Sequence, residues 1–216
     1  MPLERKTDLR VLKTQKIIKD TFKQMICEMD ASKIQVKDLC DRAMIHRKTF
    51  YLHYTCIEAL YADVLQELSA GYYAMIDSIP ADAPFYEVNR VFFTFMASQE
   101  PYMEKIVCSA SYREFSDHFF LSLTKHNRAR HNPYAAYSAE EQNIINTFLC
   151  VNSVNIYRQW VEDGKKIPLD RLIELSGRMF MYGITEILRI GGGNGNQRQG
   201  IVQYEGTIIC ASMLTE

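Results

Sequence analysis

"RAMIHRKTFYLHY" (residues 42–54) is the stretch that decides the fold. Just upstream, Val36, Leu39, Cys40 and Ala43 recur at i, i+3, i+4 and i+7, the spacing of one face of a short helix. Gln35 is a weak N-cap for it, and Ser32 offers a cap for a slightly earlier start. Met44 and Ile45 then turn the chain, and a second short helix is expected over 46–53. Two short helices joined by so tight a turn describe a helix-turn-helix. Ile18, Phe22, Met25, Ile26 and Met29 fall on one face of a longer helix over 11–29, which completes a three-helix unit. In the last helix Phe50 and Tyr54 are i, i+4 neighbours that can join Ile45 in a small core. Arg47 and Tyr51 are i, i+4 neighbours on another face, with Lys48 and Leu52 beside them.

The presented face is cationic and rich in donors. A DNA major groove admits one α-helix. His46, Arg47 and Lys48 are placed to reach base edges; Thr49, Tyr51 and His53 supply flanking contacts to phosphates. Leu52 lies on the same face, and Lys37 adds a cation from the preceding helix. The arm before the first helix carries Arg5, Lys6, Arg10 and Lys13. Charge is distributed to match: residues 1–60 hold 12 Lys and Arg against 8 Asp and Glu, the remainder 13 against 18. An excess of that sign at one end points to a polyanionic partner for that end alone. The competing reading of the same residues is a solvated basic helix with snorkelling side chains.

The motif sharpens the choice. Residues 14–60, through "VKDLCDRAMIHRKTFYLHY" and "IEALY", resemble the N-terminal domain of the TetR family of transcriptional regulators. Val36, Asp38, Leu39, Ala43, Ile45, Thr49, Phe50, Tyr51 and Tyr54 match its pattern identically or conservatively, as do Glu58, Ala59 and Leu60 at the next helix start. Two positions depart from it. The family usually has Gly in the turn, where this chain has Met44, and often a phosphate-contacting Lys where this chain has Ile57. More briefly, "IYRQWVEDGKKIPLDRLIEL" (156–175) resembles a segment of the C-terminal ligand-binding and dimerisation domain common in Firmicutes members.

The rest of the chain reads as helices near 57–77, 85–98, 101–108, 111–129, 139–163 and 169–189, with "SIPADAP" (78–84) and "HNPYAAYS" (131–138) as breaks. Gly164 is a helix C-cap candidate and Pro168 precedes the next start. "KHNRARH" (125–131) reads as a solvated cap at a helix end. The fold class expected is all-α: a helix-turn-helix domain with a basic arm (1–56), a larger helical domain (57–190) and a Gly-rich flexible tail (191–216). The sequence after residue 200 is β-prone but isolated.

No enzyme motif, zinc-ligand spacing or cofactor fingerprint appears, so neither catalysis nor a cofactor is expected. No apolar h-region and no run of roughly 18 apolar residues exists, so a cytoplasmic protein with no membrane partner and mostly buried, reduced thiols is expected.

The resemblance implies a homodimer on palindromic double-stranded DNA, with half-sites about one helical turn or more apart. It also implies that the last two long helices form the seam, through Ile144, Phe148, Val151, Ile156, Leu172, Phe180 and Ile184. The aromatic-rich helices between supply candidates for a small apolar or aromatic effector: Phe92, Phe95, Met96, Tyr102, Met103, Tyr112, Phe115, Phe119, Tyr157 and Trp160. The same residues at helical spacing would serve as ordinary core. The function expected is a ligand-responsive repressor; the alternative is a partner-dependent coactivator that keeps the same fold.

Overall fold

The computed structural model describes residues 9–191, 201–204 and 207–210, with side chains over 9–183. The helices are α1 (Leu9–Glu28), α2 (Val36–Ala43), α3 (Arg47–Tyr51), α4 (Ile57–Asp77), α5 (Phe85–Ala97), α6 (Pro101–Cys108), α7 (Arg113–Arg130), α8 (Ala139–Glu162) and α9 (Leu169–Gly191). Short 3-10 turns at Ala31–Lys33 and Ala110–Tyr112 precede α2 and α7. The β-prone end pairs as an antiparallel ribbon of β1 (Ile201–Tyr204) and β2 (Thr207–Cys210), Ile201 opposite Cys210.

Local chemistry sets the boundaries. Pro101 opens α6, where its missing N–H costs nothing. Ser138 and Glu141 form a reciprocal capping box at the start of α8. At the end of α8, Gly164 takes a φ of 72° while its N–H reaches the Val161 carbonyl and the Lys165 N–H reaches Trp160. A non-helical φ of 68° at Gly183 breaks α9.

Two packing units share one continuous core. In the first, α1, α2 and α3 bury Ile18, Phe22, Met25, Ile26, Leu39, Cys40 and Phe50. In the second, α4 to α9 enclose Tyr72, Phe93, Met103, Ile106, Phe119 and Tyr157. Several contacts join them. Tyr112 of the second 3-10 turn donates its hydroxyl to the Met29 carbonyl at 2.6 Å, just past α1. Phe22 of α1 packs edge-on against Tyr61 of α4, ring centroids 4.5 Å apart. Lys23 of α1 sits over the Tyr102 ring of α6 and faces Glu100 at 3.7 Å. A shift of α6 or of the second 3-10 turn therefore pushes directly on α1.

"KHNRARH" differs from its reading as a solvated cap. His126 stacks on Tyr73 with centroids 4.0 Å apart and meets Asp77 at 2.8 Å. Arg128 donates to Asn143 and Gln142, and His131 is 5% exposed. The segment ties α7 to α4 and α8, because its cations have carboxylate and amide partners on facing helices. The thiols differ too. Among the cysteines whose side chains are described, Cys40 alone is buried, while Cys27 and Cys108 are exposed.

Candidate nucleic-acid interface and regulatory cavity

The turn between α2 and α3 has a defined geometry. Met44 adopts φ 53°, ψ 43°, the left-handed region. Its N–H donates to the Asp41 carbonyl and the Ile45 N–H to Cys40 at 3.0 Å. Those two bonds make the glycine-type helix ending with a methionine at the glycine position. The Met44 side chain is 91% exposed, so packing does not explain its presence there.

Beyond the turn, α3 divides as its periodicity requires. Phe50 is fully buried and Tyr54 6% exposed, whereas His46, Arg47 and Lys48 are exposed together with Tyr51 and Leu52. Thr49 and His53 are half-buried at its flanks, and Lys37 is exposed on α2. The structure thus brings His46, Arg47, Lys48, Tyr51 and Leu52 onto one outer face. Arg5 and Lys6 lie outside the described residues.

Behind this face a small polar network fixes α3 against α4. Tyr54 donates its hydroxyl to Asp63 at 2.7 Å, and Lys19 of α1 meets the same carboxylate at 2.9 Å. Burial pushes the Asp63 carboxyl up, but hydrogen bonds from Lys19 and Tyr54 and the Lys19 charge outweigh it, so it sits below the usual carboxylate range. Lys19 is shifted upward: burial opposes this, and Asp63 and Glu67 overcome it. Three helices are therefore pinned at one carboxylate. Asp63 and Glu67 are signals that sequence reasoning missed, because their partners are remote in the chain.

The residues expected at an effector pocket mostly fill the core. Phe95, Tyr102, Met103, Tyr112 and Tyr157 are at most 4% exposed. Trp160 is also buried, and its indole N–H donates to the Ile167 carbonyl at 2.8 Å, which fastens the α8–α9 turn. Phe115 stacks on Tyr61, and with Phe119 it lines an open groove between α4 and α7. Phe92 is the one candidate beside a distinct cavity of about 90 Å³ between α5, α7 and α8. Phe85, Val88, Phe120, Leu123 and Leu149 give that cavity apolar walls; Asn89, Asn127 and His131 give it polar ones. Phe120, Thr124, Asn146 and Cys150 are shared with an outer groove of about 580 Å³, lined also by Arg113, Lys125, Arg128, Arg158 and Asp117. Burial and then the neighbouring Arg113 charge lower the Arg158 pKa, as expected for cations crowded without enough counter-charge.

Of the expected seam residues, Ile144, Phe148 and Val151 are 71%, 55% and 50% exposed, one row on α8. Phe180 is half-buried, with its ring 6.1 Å from that of Phe148. Met181 and Tyr182 extend the exposed apolar surface on α9. Leu172 differs from expectation: at 3% exposure it belongs to the subunit's own core, because it falls on the face of α9 turned toward α5. The side chain of Ile184 lies outside the described residues.

A three-helix helix-turn-helix unit on a larger helical domain is an architecture of transcriptional regulators, and the solved structures that resemble this one are of that kind. No protein-family profile and no curated protein sequence matches the chain. A TetR transcriptional regulator from Streptococcus agalactiae 2603V matches at TM-score 0.62 and 19% identity, over 80% of this chain and 96% of that one. FadR from Bacillus subtilis, solved with stearoyl-CoA, matches at TM-score 0.62 and 12% identity, over 78% and 98%. NalD, the secondary repressor of the MexAB-OprM multidrug efflux pump in Pseudomonas aeruginosa, matches at TM-score 0.62 and 13% identity, over 80% and 97%. The chain has the TetR-type regulator fold. No helix among the described residues is long and apolar enough to cross a membrane.

Proposed function

We propose that this protein is a transcriptional regulator that binds a palindromic DNA operator as a homodimer and releases it when a small molecule occupies the helical domain. One observation carries the DNA-binding part. α3 presents His46, Arg47, Lys48 and Tyr51 outward while Phe50 holds the opposite side in the core. A helix anchored on one side and cationic on the other fits a major groove, with Arg47 suited to bidentate pairing with guanine. The missing Lys at Ile57 leaves phosphate contact to Tyr51, His53, Lys37 and the N-terminal arm.

The dimer reading rests on the exposed row Ile144, Phe148 and Val151 with Met181 and Tyr182. Exposed apolar side chains in such number are costly in water and suit burial against a second copy. The ligand response rests on the α5–α7–α8 cavity and on the Tyr112–Met29 and Lys23–Tyr102 contacts, which link the helical domain to α1. A ligand acts here only by favouring one spacing of the two recognition helices over another.

Selection of bound fragments from a random DNA pool at two salt concentrations tests the proposal. The expected outcome is an enriched palindrome and a steep loss of affinity with salt. Enrichment of no sequence at either salt refutes it and favours the reading in which a partner protein, not DNA, is bound.

A further inference from the structure

The outer groove of about 580 Å³ runs between α7 and α8, and its charge is unbalanced. The two helices cross it antiparallel: Arg128 donates to Asn143 at 2.8 Å near one end, and Arg158 to Ser116 at 3.2 Å near the other. Arg113 and Arg158 therefore mark one end of the groove and Lys125 and Arg128 the opposite end, about 22 Å away at the helical rise per residue. Between the ends the lining includes Leu121, Val151 and Val154. Leu121 and Val151 are 52% and 50% exposed, so an apolar strip lies open to solvent. Against the four cations the groove has one carboxylate, Asp117.

The Arg113 end is the one prepared for a charged guest. Arg158 Nε donates to the Val107 carbonyl at 2.7 Å, and its two terminal nitrogens to Ser116 and to Asn155 at 3.2 and 3.3 Å. All three acceptors are neutral, so the guanidinium is fixed in place while its charge stays uncompensated. A guanidinium has five N–H groups, and two of these remain for a further acceptor. Arg113 is exposed and, among the described residues, has neither an ion-pair nor a hydrogen-bond partner. Burial, and then the Arg113 charge, lower the Arg158 pKa, a strain that an anion between the two would relieve. At the opposite end Arg128 is already engaged by Asn143 and Gln142.

We propose that the α7–α8 groove binds an elongated organic anion, its acidic head held by Arg113 and Arg158 and its apolar body laid along Leu121, Val151 and Val154. Guanidinium groups suit carboxylate and phosphate heads alike. The proposal rests on the regulator reading for the purpose of the site, and it names the ligand chemistry that the reading leaves open. It also supplies a route: an anion on Arg158 bears on Val107 near the end of α6, and α6 meets α1 through Tyr102 and Lys23.

The probes are octanoate, octyl phosphate, octan-1-ol and n-octylammonium, which share an eight-carbon chain and differ in the head. Each is titrated into the full chain by calorimetry at one low salt concentration. The expected result is saturable binding of at least one of the two anions, about tenfold or more tighter than the alcohol and than the ammonium. Which anion binds tighter distinguishes a carboxylate from a phosphate head. Arg113→Gln removes an exposed charge; it should weaken the anion about tenfold, leave the alcohol unchanged and keep the melting temperature. Leu121→Glu places a like charge on the path of the apolar body and should weaken the anion independently. No saturable binding of either anion, an alcohol or ammonium that binds as tightly, or an anion affinity unmoved by both variants overturns the proposal. So does a fall in mass of Arg113→Gln by light scattering, which would assign the groove to a second copy of the chain. The titrations contain no DNA. Their failure counts against the ligand assignment alone, and failure of the palindrome selection counts against the regulator reading alone.

Discussion

Replacing Met44 with glycine should stabilise the protein, although it deletes a large side chain. Met44 sits at φ 53°, ψ 43°, where a Cβ crowds the following carbonyl. That conformation costs an L-residue roughly 1–2 kcal/mol. Glycine escapes the strain but gains freedom in the unfolded chain, an offset of roughly 0.5–1 kcal/mol. The side chain is 91% exposed, so truncation gives up almost no packing. The net gain is about 0.5–1 kcal/mol, or about 1–4 °C in melting temperature for a chain of this length. Scanning calorimetry of the wild type, Met44→Gly and Met44→Ala measures it. Alanine keeps the Cβ and the strain, so it should leave the melting temperature within about 1 °C of wild type. A lower melting temperature for Met44→Gly, or equal gains for glycine and alanine, would refute backbone strain as the cause.

Tyr112→Phe removes the hydroxyl that meets the Met29 carbonyl and should cost about 1 kcal/mol, read as a lower midpoint in urea. Asp63→Asn should destabilise the protein at neutral pH by loosening Lys19 and Tyr54. Because the folded-state pKa of Asp63 is depressed, its contribution is present above the ordinary carboxylate value of about 4 and lost as pH falls through the folded value. The gap between wild type and variant should therefore close in acid; a gap that stays constant down to pH 2 would contradict the ion pair. Ile144→Glu and Phe148→Glu change exposed positions on α8 and should yield a monomer of unaltered helicity by light scattering. A dimer that survives both would move the seam elsewhere.

The periodicity of apolar residues carried the helical architecture far, and its reach had a physical limit. Spacing at 3.6 residues told that Ile18, Phe22 and Phe50 face inward and that Arg47 and Tyr51 face outward, as the burial pattern has it. The strained turn was legible because a motif that usually places glycine there has Met44 instead, and the left-handed backbone follows. The cavity was not legible. Phe95, Met103 and Tyr157 share the inward spacing of Phe92, yet only Phe92 borders empty space. Periodicity reports which face is dry and says nothing of where packing leaves a gap. Asn89 carried no local signal, and Asn127 and His131 lie in "KHNRARH", whose reading as a solvated cap points away from a cavity until the facing helices are in place. Leu172 illustrates the same limit: an apolar row on α9 serves both the subunit core and an outer face, and one strip of sequence does not divide them.

The outward face of α3 is best tested by comparing affinities for the selected operator and for a scrambled duplex at one fixed salt concentration, in the wild type and in Arg47→Ala. A bidentate arginine–base contact discriminates by about 1–3 kcal/mol in each half-site. The variant should therefore lose at least about tenfold in the ratio of the two affinities while keeping its melting temperature, since Arg47 is exposed. An unchanged ratio, with wild-type affinity for the operator, would contradict the assignment of α3 as the helix that reads DNA.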